Sequence, residues 1–207
     1  VQMCNALDDT YVATCDEEIF EYIESIGGKA VMTSVTHERA SDRAAEAMLR
    51  IEENCGRKID ILVMVQGDEP MDTPQMISDA IAPMQDDPSI NVVNLMGKIE
   101  SLEEFEDPNT VKVVVDQSGH ALYFSREPIP SRKKGVDTVP MLKQICVIPF
   151  RRDYLLKFNS LAEMPLESIE SVDMMRVLEH GDTVKMVLTE EPSFGVDTPA
   201  DLVLAEK

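Results

Sequence analysis

Two adjacent carboxylates, Asp68 and Glu69, follow directly on the apolar run Ile61-Leu-Val-Met-Val65. Five residues rich in β-branched types are too few for an independent helix, and they read as a strand buried on both faces, as in a parallel sheet. Gln66 and Gly67 break the run and Pro70 stops the strand from continuing. The carboxylates thus arrive at the carboxyl end of a strand, the edge at which open α/β sheets bind ligands. A polar turn after a core strand accounts for the same residues equally well. A second candidate is cationic. Between Arg126 and Arg152 stand seven positive residues (Arg126, Arg132, Lys133, Lys134, Lys143, Arg151, Arg152) against Glu127 and Asp137, in a chain of net charge −20. Arg132 to Lys134 suit a solvated loop. Arg126 and Lys143 lie beside apolar strand-like runs, where a cation is better placed to meet an anionic ligand.

Three further stretches carry chemistry-bearing residues. His37-Glu-Arg-Ala-Ser-Asp-Arg43 runs into a helix that Ser41 or Asp42 could cap. The free amides of such a helix start attract an anion or a polar base edge, although a plain cap explains the same residues. Glu167, Glu170 and Asp173 fall on adjacent helical turns, with Arg176 three residues after Asp173, a pattern also given by a solvated face or intrahelical pairs. In Gly195-Val-Asp-Thr-Pro-Ala-Asp-Leu202, Thr198 before Pro199 with Asp201 three residues on is a helix start of the capping-box type. If Thr198 caps, Asp197 is free to point elsewhere; if Asp197 caps, it is structural.

These residues need a scaffold, and the alternation of elements supplies one. Short strands are expected at 9–14, 30–33, 60–66, 91–95, 144–148 and 184–188, with a hairpin from Val111–Val115 and Ala121–Phe124 around Asp116-Gln-Ser-Gly119. Helices are expected after Asp16 (with Ile19, Ile23 and Ile26 on one face), over 44–51, from Thr73 to Met84, briefly at 101–105, and from Leu161 to Glu179. Such alternation implies a three-layer α/β sandwich with a mixed, mainly parallel central sheet. The 207 residues fit one domain, 1–207. The opening Val1 to Leu7 reads as the tail of a helix, and material is expected upstream.

Composition excludes several classes. The strong negative charge argues against a general nucleic-acid binder, and no apolar run approaches the ~20 residues that span a bilayer. Neither GxGxxG nor GxxxxGK[ST] occurs. Cys4, Cys15, Cys55 and Cys146 are scattered without a CxxC pair, which points to a reduced cytoplasmic setting and away from a structural zinc site.

Val12-Ala-Thr14, Val65-Gln-Gly-Asp-Glu-Pro70, Pro108-Asn109, Val111-Lys-Val-Val114, Ala121-Leu-Tyr-Phe-Ser-Arg126, Ile129-Pro130, Pro165-Leu-Glu167 and Gly195-Val-Asp-Thr-Pro199 occur in an order and spacing that resemble the 3-deoxy-manno-octulosonate (Kdo) cytidylyltransferase, or CMP-Kdo synthetase, family. The resemblance implies a nucleotide-sugar-transferase-like (Rossmann-like) α/β fold and a homodimer. It also implies Mg²⁺-dependent transfer of CMP from CTP to the anomeric hydroxyl of an ulosonic acid, supplying an activated sugar for lipopolysaccharide or surface polysaccharide. On the same basis Asp68 and Asp197 are metal-binding and catalytic carboxylates, and Arg126 holds the sugar acid. Ser41, Arg43 and Gln66 fall to the nucleotide; Gln144, Glu167 and Glu170 fall to the sugar. Glu69 receives no role.

Three departures accompany the resemblance. The family's N-terminal Gly/Arg-rich phosphate loop has no counterpart here, so the chain is expected to be truncated, and a catalytically inactive chain is one alternative. Arg39-Ala40-Ser41 stands where a His-Ser-Gly-Thr-like stretch is common. Gln144 replaces a frequent sugar-site histidine and Ser131-Arg132 a Trp-Asp pair, which keeps another ulosonic or nonulosonic acid open as substrate.

Overall fold

The computed structural model describes residues 1–206 apart from Asp137 and Asp197, and only the main chain of Ala200 and Leu204. The first unit is a βαβ crossover, with β1 (Val12–Thr14) parallel to β2 (Ala30–Met32) and α1 (Glu17–Ser25) between them. Asp16 caps α1 as its type predicts, accepting from the amides of Glu18 and Ile19. The isoleucine face does not reach the core. Ile19 and Ile26 are exposed and no residue of α1 is buried, because the two-strand unit is too small to cover the helix.

α2 (Ala40–Cys55) begins earlier than expected. Its cap position is Arg39, which makes no side-chain capping bond, so neither Ser41 nor Asp42 caps; both lie in the first turn. Gly56, in the left-handed region, ends it. α3 (Pro74–Asp86) starts as its residues dictate, with Thr73 as cap and Pro74 in the first turn. Ser101 caps the short α4 (Leu102–Glu106). Residues 1–7, expected to be a helix tail, form turns, and Cys4 is buried against α3.

β3 (Ile61–Val65) pairs antiparallel with β8 (Val147–Arg151), Ile61 opposite Arg151 and Val65 opposite Val147. Only Met64 of β3 is buried; the other four residues are half-buried, so the strand is not enclosed on both faces. A five-stranded sheet follows the order β6 (Ala121–Ser125), β5 (Lys112–Val115), β7 (Leu142–Ile145), β4 (Val93–Lys98), β9 (Lys185–Leu188). β4 and β9 are parallel; β5·β6, β5·β7 and β4·β7 are antiparallel. The result is a mixed α/β fold whose antiparallel part extends beyond the β5–β6 hairpin.

Two expected elements are split. The strand expected at 144–148 breaks at Cys146 into β7 and β8, which join different ladders. The helix expected over 161–179 is replaced by α6 (Pro165–Glu170) and α7 (Met174–Glu179), broken at Ser171, whose φ of 52° is left-handed. Ile169 is exposed as a result, while Val172 and Met175 are buried. α5 (Arg152–Ser160) was not expected, yet it buries Tyr154, Leu155 and Phe158. α8 (Pro199–Ala205) follows Thr198. The main core gathers Met48, Phe124, Phe150, Phe158, Met174 and Val177, and a second cluster joins Met76 and Ile77 to Leu95 and Val147. Among the described residues no helix is long and apolar enough to cross a membrane.

Candidate active site

The turn after β3 is where distant parts of the chain meet. Gln66 donates its amide to the carbonyl of Cys146 at 3.3 Å, tying the end of β3 to the break between β7 and β8. Val196 donates to the carbonyl of Asp68 at 2.8 Å, so the Gly195-Val196 main chain lies against the carboxylate-bearing turn. Thr198 makes the capping-box bonds: its amide and hydroxyl donate to Asp201, whose amide returns to Thr198 Oγ1. The cap is therefore Thr198. Asp197, the proposed partner of Asp68, lies outside the described residues.

Asp68 is exposed, and its side chain has no hydrogen bond or ion pair among the described residues. Glu69 is half-buried and accepts from Ser193 Oγ at 2.9 Å and from the Cys146 amide at 3.4 Å. Both carboxylate oxygens of Asp72 are buried without a hydrogen-bond partner. Burial, followed by the charges of Glu69 and Asp68, pushes the Asp72 carboxyl up to about 7. Burial and the same carboxylates push the Cys146 thiol up, so it is not an activated nucleophile.

Asp72 yields a stability prediction. Its folded pKa is raised above 3.8, so the native state holds the proton more tightly than the unfolded chain. Stability therefore falls as pH rises from about 4 to about 7, and levels above that. Asp72→Asn removes the penalty. Allowing for partial solvent access, it should gain about 1–2 kcal/mol over wild type at pH 8 and close to nothing at pH 4. Urea denaturation at the two pH values checks this, and an equal difference at both would refute it.

A second cluster surrounds Arg126. Its Nε donates to the Glu170 carbonyl at 2.7 Å, Nη1 to the Pro108 carbonyl at 2.9 Å and Nη2 to the Ser171 carbonyl at 3.3 Å. Among the described residues no carboxylate pairs with this guanidinium; its acceptors are neutral carbonyls. The Glu170 carboxylate instead accepts from Tyr123 Oη, Ser125 Oγ and the Arg126 amide. Lys112, fully buried in β5, donates to the carbonyls of Asp107, Thr110 and Arg126, which anchors the main chain under the arginine.

A third cluster joins the start of α2 to the α6–α7 break. Ser41 is buried and donates to Asp173 at 2.9 Å, and Arg39 donates to the other Asp173 oxygen at 2.8 Å. Arg43 binds Thr33 Oγ1 at 2.6 Å and the carbonyls of Ser34 and His37. The left-handed turn at Ser171 lets the two clusters share one junction: its carbonyl faces Arg126, and Asp173 two residues later faces Ser41.

The expected site residues thus divide. Gln66 and Asp68 share the β3 turn, Arg126 and Glu170 share the second cluster, and Ser41 and Arg43 lie on α2. Glu167 does not face open space. It is fully buried, with its carboxylate held by Arg176 Nε and Nη2 at 2.7 and 2.6 Å. Arg176 pairs with Glu167 and not with Asp173, whose carboxylate oxygens are taken by Arg39 and Ser41. Gln144 lies within the sheet, its amide donating to buried Asn94 at 2.5 Å. Sequence reasoning gave no role to Asp72, Arg39 or Ser193, whose importance comes from partners more than a hundred residues away or from burial.

Residues 1–186 match the cytidylyltransferase family. The 3-deoxy-manno-octulosonate cytidylyltransferase of Geobacter metallireducens is 45% identical over 206 residues, covering 95% of this chain and 79% of that protein. Its namesake in Syntrophotalea carbinolica is 40% identical over 208 residues, covering 97% and 81%. A solved CMP:2-keto-3-deoxy-manno-octonic acid synthetase, complexed with CTP, superposes with a TM-score of 0.89 at 34% identity, covering 98% of this chain and 81% of that one. With its Gln-Gly-Asp-Glu-Pro turn and Gly195-Val196 segment in contact on that fold, the chain belongs to the 3-deoxy-manno-octulosonate cytidylyltransferase family.

Proposed function

We propose that the protein transfers the cytidylyl group of CTP to the anomeric hydroxyl of 3-deoxy-manno-octulosonate, releasing pyrophosphate and supplying activated sugar for lipopolysaccharide or a surface polysaccharide. One observation carries the reading. The Val196–Asp68 hydrogen bond joins two family motifs, separated by most of the chain, at the carboxyl end of β3. The dimer and the cytoplasmic setting of the proposal rest on the family resemblance, the setting also on four free cysteines.

The donor set suits Mg²⁺. Asp68 is an exposed oxygen ligand without a cationic partner, and Asp72 leaves orphaned carboxylate oxygens four residues on. Mg²⁺ is held by one or two carboxylates together with substrate phosphates. Asp68, with Asp197, would hold it; bound there it would neutralise triphosphate charge that an acidic protein otherwise repels.

The chain's own residues do the rest. Gln66, Ser41 and Arg43 hold the nucleotide, a contact through Ser41 Oγ requiring exchange of its bond to Asp173. Arg126 offers a planar guanidinium to the sugar carboxylate, and its neutral acceptors leave the positive charge uncompensated until that anion binds. The anomeric oxygen attacks the α-phosphorus in line. A new O–P bond forms, the bond to pyrophosphate breaks and the hydroxyl proton passes to solvent water; positioning and charge neutralisation do more here than a protein nucleophile.

A pyrophosphate-release assay on the full-length protein tests this. Turnover is expected with CTP, Mg²⁺ and an ulosonic acid. Turnover with UTP or ATP and a neutral sugar phosphate would overturn it. A nine-carbon acid belongs in the panel, because Gln144, where a sugar-site histidine is frequent, is turned to Asn94.

A further inference from the structure

Glu69 is the neighbour of Asp68, and its carboxylate grips two other segments. Its Oε2 accepts from Ser193 Oγ at 2.9 Å, and Ser193 is itself buried. Its Oε1 accepts from the amide of Cys146, the residue that separates β7 from β8. The Ser193 carbonyl takes Lys143 Nζ at 2.6 Å, and that lysine is paired with Glu104. Three residues beyond Ser193, Val196 bonds to the Asp68 carbonyl. The 193–196 segment is therefore fastened to the β3 turn at both ends, by the Glu69 side chain at one and by main chain at the other.

Asp68 and Asp72 lie within a few residues, and among the described residues no cation pairs with any of the three carboxylates. What the residue provides is geometry, since a side chain bonded to two fixed segments holds its own turn within a narrow range of positions.

We propose that Glu69 is a positioning residue, which sets the 193–196 segment and the β7–β8 junction against Asp68 so that the two motifs present to one bound metal–nucleotide. The proposal rests on the cytidylyltransferase reading. Ser193 is its partner, and the Glu69–Ser193 bond is the fastening whose loss lets the segment move away from Asp68.

The test uses the full-length protein with Glu69→Ala, Glu69→Gln, Ser193→Ala and the double variant Glu69→Ala/Ser193→Ala. Glu69→Ala should raise the Mg²⁺ concentration for half-maximal pyrophosphate release, or lower kcat, by about 10- to 100-fold, the scale on which a misplacement of about 1 Å far from the chemistry acts. Glu69→Gln keeps an acceptor and should recover part of the loss. The double variant should be little worse than either single one, because both remove the same bond. Amide hydrogen exchange supplies a reading independent of turnover: peptides covering 193–198 should exchange faster in Glu69→Ala while those of α3 and β4 keep their protection. Unchanged exchange at 193–198 overturns the proposal. So does a loss of activity that follows only the folded fraction, with Mg²⁺ dependence as in wild type. If wild type turns over no CTP with any sugar acid, the functional reading fails; the exchange result then still decides whether Glu69 fastens the segment.

Discussion

Asp68→Asn should lower kcat/KM for CMP transfer by about 10²- to 10³-fold, the scale on which preorganised electrostatic groups act at a reacting phosphate or carbonyl. The fold should hardly notice. Asp68 is exposed and its side chain has no partner among the described residues; its carbonyl, which the substitution keeps, is what binds Val196. Surface changes of this kind usually stay within about 0.5 kcal/mol. Steady-state pyrophosphate release with urea denaturation on the same preparations separates the two effects. Near-normal turnover would remove Asp68 from the metal assignment.

The second large effect concerns stability. Glu167→Ala strands the guanidinium of Arg176 between α6 and the Phe158 ring, which lies 4.9 Å from the guanidinium carbon. Glu167 is fully buried and Arg176 is 7% exposed, so water cannot take the carboxylate's place. Removing one partner of such a pair costs about 3–5 kcal/mol, whereas replacing both by apolar residues of similar volume is often close to neutral. The Glu167→Leu/Arg176→Met double variant should therefore be much more stable than Glu167→Ala. Urea midpoints decide the matter: a cost below about 1 kcal/mol for Glu167→Ala would show that the pair does not hold α6 on α7. Activity lost in Glu167→Ala should return with the folded fraction, which distinguishes this residue from one that contacts the sugar.

What could be read from the sequence, and what could not, follows the range of the interactions. The end of β3 was legible because apolar run, breaker and proline all lie within ten residues. Asp16, Thr73 and Ser101 were legible as caps or element starts because capping is a bond between near neighbours. The break at Ser171 was not. A serine in the left-handed region carries no local signal as strong as glycine, and here it is fixed by distant donors, Arg126 to the Ser171 carbonyl and Ser41 to the Asp173 carboxylate. Cys146 was hidden similarly: Gln144-Ile-Cys-Val-Ile148 is a uniform strand pattern, and only its separate partners, β4 with β5 on one side and β3 on the other, divide it. The burial of Glu167 was hidden for the same reason. Its spacing from Glu170 is that of a solvated row, and burial by Arg176 depends on how α7 folds back.

The pairing of β3 with β8 also sets an order of events during synthesis. Ile61 must wait for Arg151, and Val65 for Val147, before the strand that bears the Asp68 turn gains its ladder. Glu69 waits longer still, for Ser193 to leave the ribosome. Closing such long loops early is entropically costly. A nascent chain stalled before Ser193 would thus carry the β1–β2 unit and the β5–β6 hairpin, yet lack the fastened turn. The Asp68 turn is completed last, so a chain cut short in translation would lack the edge proposed to hold the nucleotide.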